Sequence, residues 1–475
     1  MKFDYLKVAQ SNVGIGDPHI CSDSLNRKSL INAIYEPLVS RVGPGVYYPT
    51  LARSWSVQPD GLTWLFRARE GVIFHNGDKF SAKDVVASMK RIVDPSIGGA
   101  YGTQGVYASY IGDAVFEAPR TDTFKIVTKE PMADLLDLLS EMPIAPADEI
   151  DSLPNEYIGT GPYSLGSKNR TEMVLERNRE HWGKQAIADE VTFLEVPDSG
   201  DRSEMVLDRS VNIGALIDYP STKIHDGSSK TNVVSLKSSL CIIFMMNAQE
   251  GPCGDRRIRQ AINYGLNIDE VVEKVKEGAA TRLNGYLTPH HFGYNPETNL
   301  YPYDPDRAKA LLAEAGYRDG LKLTIDLPTT MPDEALQLGE LMKEHYAKIG
   351  IDVELISYSD RPAYAEMVRD KQIHDLCCFD SSPLSTFRVL REKIHSRHKG
   401  PWWEGYANPD VDKMIDLAQR TFDTQKREDI YKKLFQIIRD DAPWVFLYRP
   451  TYYWAVSNEL EDWRPSSTGL LKLAE

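Results

Sequence analysis

Leu321-Lys-Leu-Thr-Ile-Asp-Leu327, Ile351-Asp-Val-Glu-Leu-Ile356 and Ile373-His-Asp-Leu-Cys-Cys-Phe379 are three short apolar runs set at regular intervals. Segments of helical period lie before and between them. Asp306–Ala315 follows Asp304-Pro305 and stops at Gly316, a C-terminal glycine signal. Asp333–Ile349 places Leu336, Leu341, Tyr346 and Ile349 on an apolar side and stops at Gly350, and Arg361–Asp370 follows. The order from 306 to 379 is therefore helix, strand, helix, strand, helix, strand. That alternation predicts an α/β class fold around a mostly parallel sheet.

Upstream, Leu240-Cys-Ile-Ile-Phe-Met-Met-Asn247 is an apolar strand with poor alternation, as expected of burial on both faces. Two helices follow, Asp255–Gly265 and Ile268–Glu277. The first third is different. It holds short strands and turns, including Ser54–Val57 and Thr63–Arg67 around Gln58-Pro-Asp-Gly61. Ser81-Ala-Lys-Asp84 predicts an N-cap for a helix over 82–92. Ile97–Gly112 is rich in Gly and Tyr and reads as a loop or a broken helix start. Near the end, Pro409–Gln419 and Thr424–Asp440 read as helices, then Trp444–Tyr448 and Tyr452–Val456 as two strands. The economical arrangement has the chain leaving a first lobe near 247, building a second lobe and returning near 444. Two crossings would give a hinge and a cleft.

The 475 residues exceed a typical single domain. Apolar residues are 42% and charged residues 26%, which excludes a disordered or fibrous chain. Lys and Arg number 55 against 69 Asp and Glu, so non-specific nucleic-acid binding lacks its electrostatic basis. No apolar run approaches the roughly 20 residues of a membrane span. The first ten residues lack the apolar stretch of a signal peptide, as in a cytosolic protein or a mature form with its leader replaced by Met. The five cysteines read as buried thiols in the core; the alternative is that Cys241 and Cys253, which flank a possible turn, pair in an oxidising compartment.

The chain lacks the motifs that place catalytic groups. There is no GxGxxG before a helix, no GxxxxGK[ST], no GxSxG and no HExxH. His395 and His398 lie three apart and can share one helical face, but the segment around them is basic. No cofactor is expected, and no enzymatic activity.

Several runs, taken in order, carry a resemblance. They are Glu36-Pro-Leu-Val39, Pro49-Thr-Leu-Ala-Arg-Ser-Trp55, Asp60-Gly-Leu-Thr-Trp-Leu-Phe66, Arg69-Glu-Gly-Val-Ile-Phe-His-Asn-Gly77, Phe80-Ser-Ala-Lys-Asp84 and Gly159-Thr-Gly-Pro-Tyr163. They continue with Asp255-Arg-Arg-Ile-Arg-Gln-Ala-Ile262, Ala308–Gly316, Gly405-Tyr-Ala-Asn-Pro-Asp410 and Asp440-Asp-Ala-Pro-Trp444. Together they resemble the family 5 extracytoplasmic solute-binding proteins of dipeptide, oligopeptide and nickel ABC importers. The resemblance implies a two-lobed, clam-shell α/β fold of the periplasmic-binding-protein type with an extra α/β subdomain. By analogy, the first lobe comprises 1–40, 165–247 and 444–475, the extra subdomain 41–164 and the second lobe 248–443.

The resemblance also implies candidate ligand residues. In peptide-binding relatives an Asp at a strand end, seven residues before a Phe, takes the peptide α-ammonium; here Asp380 precedes Phe387 by seven. The relatives carry Gly-Trp before that Asp, where this chain has Cys377-Cys378-Phe379. Trp402 and Trp403 stand where the family's cleft wall passes and offer stacking faces. Tyr101, Tyr107 and Tyr110 lie on the Gly-rich loop, and Tyr35 precedes the Glu-Pro-Leu-Val run. Arg388 suits a carboxylate or phosphate. Asn247 stands at a lobe crossing, where its alternative role is to serve hinge backbone. Each has packing or a local pair as its alternative.

The expected function is a solute receptor that closes over a short peptide or peptide-like molecule and delivers it to the transmembrane subunits of an ABC permease. An oligosaccharide, opine or sugar-phosphate conjugate, a nickel chelate and a cleft hydrolase remain as alternatives. The expected location is the periplasm, or a lipid anchor outside the cytoplasmic membrane, and the expected state is a monomer.

Overall fold

A computed structural model of the chain describes residues 3–97, 105–183 and 185–474. The chain forms two compact units, Met1–Leu236 with Tyr452–Glu475, and Lys237–Thr451. Both are mixed α/β. No helix among the described residues is long and apolar enough to cross a membrane.

In the first unit, the strand Phe3–Gln10 runs parallel to Ala188–Glu195 on one side and to Ile213–Ile217 on the other. Glu172–Arg177 and Tyr163–Lys168 extend the sheet antiparallel from Ala188–Glu195. Leu6, Val8, Leu175, Val191, Phe193 and Trp454 fill one side of this sheet beneath the helix Leu25–Ile34. A second, four-stranded antiparallel sheet lies within 41–164, in the order Ala52–Val57, Thr63–Ala68, Thr123–Val127, Val115–Arg120. Its hairpin turns where Pro59-Asp60-Gly61 predicts. Gly61 takes φ +68°, and the Asp60 carboxylate accepts from the N–H groups of Leu62 and Thr63 at 2.9 Å each. The predicted cap also forms: Asp84 accepts from the Ser81 N–H at 2.8 Å, opening the helix Ala82–Ile92.

The signature runs of this unit are folding ties. The Glu36 carboxylate accepts from Thr160 Oγ1 at 2.9 Å and Trp182 Nε1 at 2.7 Å. His75 accepts at Nδ1 from the Gly159 N–H at 3.2 Å, and its Nε2 lies 3.1 Å from the Gly161 carbonyl oxygen. Gly159 and Gly161 lie directly against the end of helix Leu25–Ile34. The runs at 36–39, 69–77 and 159–163 therefore meet in one knot.

The second unit contains the segment that decided the α/β reading. Ile351–Tyr358, Leu321–Pro328 and Leu376–Ser381 run parallel, with Leu321 opposite Ile351 and Ile325 opposite Leu376. The helices Ala335–Ala347 and Arg361–Arg369 supply the connections a parallel sheet needs. Cys241–Met246 then adds antiparallel to Leu376–Ser381, and the start of Trp444–Ser457 adds antiparallel to Cys241–Met246. The sheet is thus mixed, because these two strands arrive from outside the helix–strand series.

Two expectations are corrected here. The crossings between units fall after Leu236 and after Thr451, not near 247 and 444. The strand Cys241–Met246 belongs to the second unit because both its faces pack there: Ile242, Phe244 and Met246 in one core, Cys241, Ile243 and Met245 in the other. That strand alternates between two buried faces, which hides any polar alternation in its sequence. Trp444–Ser457 is one continuous strand, not two. Pro450 lacks an N–H, but its carbonyl accepts from the Ser238 N–H at 3.0 Å, so the ladder passes through it. All five cysteines are buried free thiols, as the main reading of them expects. Cys241 and Cys253 lie in cores on opposite faces of the sheet, which forbids their pairing. Burial pushes the Cys241 thiol up to about 12, so it is inert as a nucleophile.

Three signature runs of this unit form a second knot. Asp441 accepts at Oδ2 from the Tyr406 hydroxyl and from Asn408 Nδ2, each at 2.7 Å, and its carbonyl accepts from Arg259 Nε at 3.0 Å. Residues of the 255–262, 405–410 and 440–444 runs thereby converge on one carboxylate and its backbone.

Candidate functional site

The strand Leu376–Ser381 delivers Phe379 and Asp380 to its C-terminal end. Beyond it, His291 Nε2 meets the Pro383 carbonyl at 2.9 Å, which holds the loop, and Ser385 caps the next helix, Thr386–Lys393, by accepting from the Arg388 N–H. That helix returns Lys393 to the strand end. Lys393 is 3% exposed, and its Nζ donates to the Asp380 carbonyl at 3.4 Å. The ammonium also lies 5.3 Å from the Phe379 ring and 5.6 Å from the Trp402 ring. Phe379 and Trp402 have centroids 4.9 Å apart, and the Arg361 guanidinium sits 5.2 Å over Phe379. Four separate stretches of sequence thus bring two cations, two aromatic rings and the half-buried Asp380 to one place.

The loop that carries Trp402 is held from below. Lys371 Nζ donates to the carbonyls of Gly400 at 3.1 Å and Pro401 at 2.7 Å, and stands 3.6 Å from Glu404 Oε1. Glu404 is buried. Burial raises its carboxyl from the ordinary 4.5 to about 7, against the pull of Lys371 and Lys393, and burial likewise lowers Lys371. Both directions say that loss of hydration outweighs the pair's attraction. A carboxyl whose folded value is raised binds a proton that the unfolded chain has already released. Its contribution is therefore most favourable below 4.5 and falls as pH rises to about 7. Relative to Glu404→Gln, the protein is expected to lose roughly 2 kcal/mol of stability between pH 5 and pH 8, read from urea midpoints. A difference that stays constant with pH contradicts the assignment.

The other sequence-predicted residues divide between the units. In the second unit, Arg388 is buried, with its Nε 3.1 Å from Glu392 Oε1 one helical turn on. Trp403 is buried, and its indole N–H donates to the Tyr406 carbonyl at 2.6 Å. Asn247 serves backbone: its Nδ2 donates to the Ile373 carbonyl and its Oδ1 accepts from the Gln249 N–H. In the first unit, Tyr35 is buried, and its hydroxyl is a buried polar atom left without a hydrogen bond among the described residues. Burial raises the Tyr35 hydroxyl far above its usual range. Tyr107 is buried at the start of the short helix Ala108–Ile111, and Tyr110 lies half-buried within it. Tyr101 lies outside the described residues. Asp380 and Trp402 share Lys393 as a neighbour, whereas Trp403 and Asn247 engage backbone groups.

Arg361, Lys393 and the Lys371–Glu404 pair escape a sequence reading. Each is an ordinary charged residue on a helix or loop, and only burial marks it out. The signal is faint even in retrospect: Lys393 closes a helix that begins directly after the Asp380 loop.

Comparison with known proteins adds to this geometry. The family model for bacterial extracellular solute-binding proteins, family 5 Middle, matches residues 46–380. The chain is 24% identical over 465 residues to a dipeptide-binding protein of Escherichia coli strain K12, covering 90% of this chain and 86% of that protein. It is 25% identical over 461 residues to the glutathione-binding protein GsiB of the same strain, covering 93% and 88%. Among solved structures, it is similar to the ABC transporter-associated periplasmic binding protein DppA of Helicobacter pylori in complex with the peptide STSA. That likeness has a TM-score of 0.80 and 26% identity over 99% of this chain and 96% of that one. NikZ of Campylobacter jejuni, in complex with Ni(L-His), shares the fold at a TM-score of 0.79 and 20% identity, covering 99% and 98%.

Proposed function

Because the chain belongs to the bacterial extracellular solute-binding proteins of family 5, we propose that its solute is a short peptide or peptide-like molecule whose free amine meets Asp380. The chain is a non-catalytic transport receptor that serves an ABC importer of the peptide, oligopeptide and nickel class. Its solute class, its monomeric state and its residence in the periplasm, or on a lipid anchor outside the cytoplasmic membrane, belong to the proposal.

The observation that carries the peptide reading is the cluster at the end of Leu376–Ser381. It holds a half-buried carboxylate beside two cations and two aromatic rings tilted against each other. A peptide is a zwitterion with apolar side chains, so it matches all three features. The dipeptide- and glutathione-binding relatives and the peptide-bound DppA support the same class. The cations over Phe379 and Trp402 favour one second reading, an anionic opine or sugar-phosphate conjugate.

Titration of ligand-free protein with a tri- and tetrapeptide library, and with the same peptides N-acetylated, separates the two. The peptide reading expects free-amine members to bind at least about tenfold more tightly, a difference of about 1.4 kcal/mol. Equal binding of the acetylated peptides removes the amine from the account.

A further inference from the structure

Away from the Asp380 cluster, the turn after helix Thr386–Lys393 carries His395 and His398, and helix Pro409–Gln419 carries Asp416. One donor atom from each of the three lies within 4.8 Å of the others. The two imidazole rings have centroids 4.2 Å apart, and His395 Nε2 is 3.0 Å from Asp416 Oδ1. His395 is buried, Asp416 is half-buried and His398 is exposed, so the group is closed behind and open to solvent in front. From the juxtaposition of these three donors, we propose that His395, His398 and Asp416 bind one divalent transition ion, Zn²⁺ fitting best, with water at the open position.

The chemistry of the donors selects the ion. Two imidazole nitrogens and one carboxylate suit Zn²⁺ and its neighbours, whereas Ca²⁺ and Mg²⁺ take oxygen ligands. His398 Nε2 faces Arg391 Nη1 at 3.1 Å. A guanidinium only donates, so that nitrogen carries a lone pair, the form a metal takes. Behind the buried imidazole, Asp412 lies one helical turn before Asp416, with Oδ1 3.6 Å from His395 Nδ1. His395 Nδ1 accepts from the Arg397 N–H at 3.3 Å; when an ion takes His395 Nε2, that bond opens, the ring proton moves to Nδ1 and faces Asp412, the usual carboxylate–histidine–metal arrangement. Two arginines must yield. Arg391 turns away from His398, and Arg397, 62% exposed and paired with Asp416, swings into solvent. The ion then replaces the Arg397–Asp416 pair as the tie between the 395–398 turn and helix Pro409–Gln419. This site would fasten the fold and is separate from the solute reading.

The test uses the full chain dialysed against EDTA and titrated with ZnCl₂ by calorimetry, with Co²⁺ absorption as a second readout. The expected result is one ion per chain, a higher Tm with zinc, and visible Co²⁺ bands of tetrahedral strength. His398→Ala and Asp416→Asn should each weaken zinc binding at least about tenfold and abolish those bands. His290→Ala should leave both unchanged. The proposal is overturned if the wild type fails to bind zinc below about 100 µM, or if both variants bind it as tightly as the wild type does.

Discussion

Asp380→Asn is expected to weaken the binding of a free-amine peptide by about 2–4 kcal/mol, roughly 30- to 700-fold. Asn keeps the size of the side chain and removes the charge. A solute ammonium would then lose a charge-assisted hydrogen bond in a partly buried place, where it is worth more than in water. Asp380 is half-buried, and its backbone carbonyl accepts from Lys393 Nζ, a contact the substitution keeps. Urea unfolding of the variant is measured beside the affinity, so that a loss of binding is separated from a loss of stability. The affinity is read by calorimetry against the tightest free-amine peptide. An unchanged affinity would move the amine site away from Asp380, and a gain for anionic solutes would favour the opine or sugar-phosphate reading.

The second large effect concerns stability. Gly159→Ala is expected to cost about 3 kcal/mol or more. A Cβ at Gly159 would stand 2.0 Å from the Ile34 carbonyl oxygen and 3.0 Å from Tyr35 Cα. Those atoms belong to the backbone at the end of a buried helix, so no rotamer change relieves the clash. The same glycine donates its N–H to His75 Nδ1, so any shift also strains that bond. Gly71→Ala provides the comparison. Its φ is +76°, but nothing lies within 4 Å of a new Cβ, so it should cost only about 1 kcal/mol. Urea midpoints of the two variants check the difference. Equal losses would mean that the 159–163 run tolerates movement and is not a tight contact.

The same pair shows which parts of the molecule were legible. The Gly159–Tyr163 run was readable as a signature and a turn, but its reason, close approach to Ile34 and Tyr35, depends on a partner over a hundred residues away. Local signals carried well. Asp304 caps the helix Pro305–Glu314 by accepting from the Arg307 N–H, Gly316 ends it at φ +96°, and Gly350 follows the next helix at φ +86°. The poor alternation of Cys241–Met246 indicates burial on both sides, whereas the placing of this strand in the first lobe came from the expected chain path and the family analogy. Burial says that a strand is central and says nothing of which sheet holds it. Pro450 lies between the two strands expected at 444–448 and 452–456, and one strand runs through it because only its carbonyl is needed.

The site was half visible. Asp380 and Trp402 are candidates through resemblance, and the structure sets them around one shared neighbour, Lys393. Lys393, Arg361 and Glu404 stayed hidden because their importance comes from desolvation, which no local pattern encodes. His395 and His398 were visible as a spaced pair, whereas Asp416 joins them only through the packing of helix Pro409–Gln419. Trp403 and Arg388 share the composition of ligand residues, but a backbone carbonyl and a buried carboxylate already engage them.

The central claim is that this receptor holds a short peptide by its free amine. The most direct measurement is mass spectrometry of small molecules released when the purified protein is denatured. The account predicts peptides of a few residues with an unblocked N-terminus, present in wild-type protein and depleted in Asp380→Asn. Release of a sugar conjugate, an opine or a metal chelate instead, in equal amounts from both proteins, would contradict it.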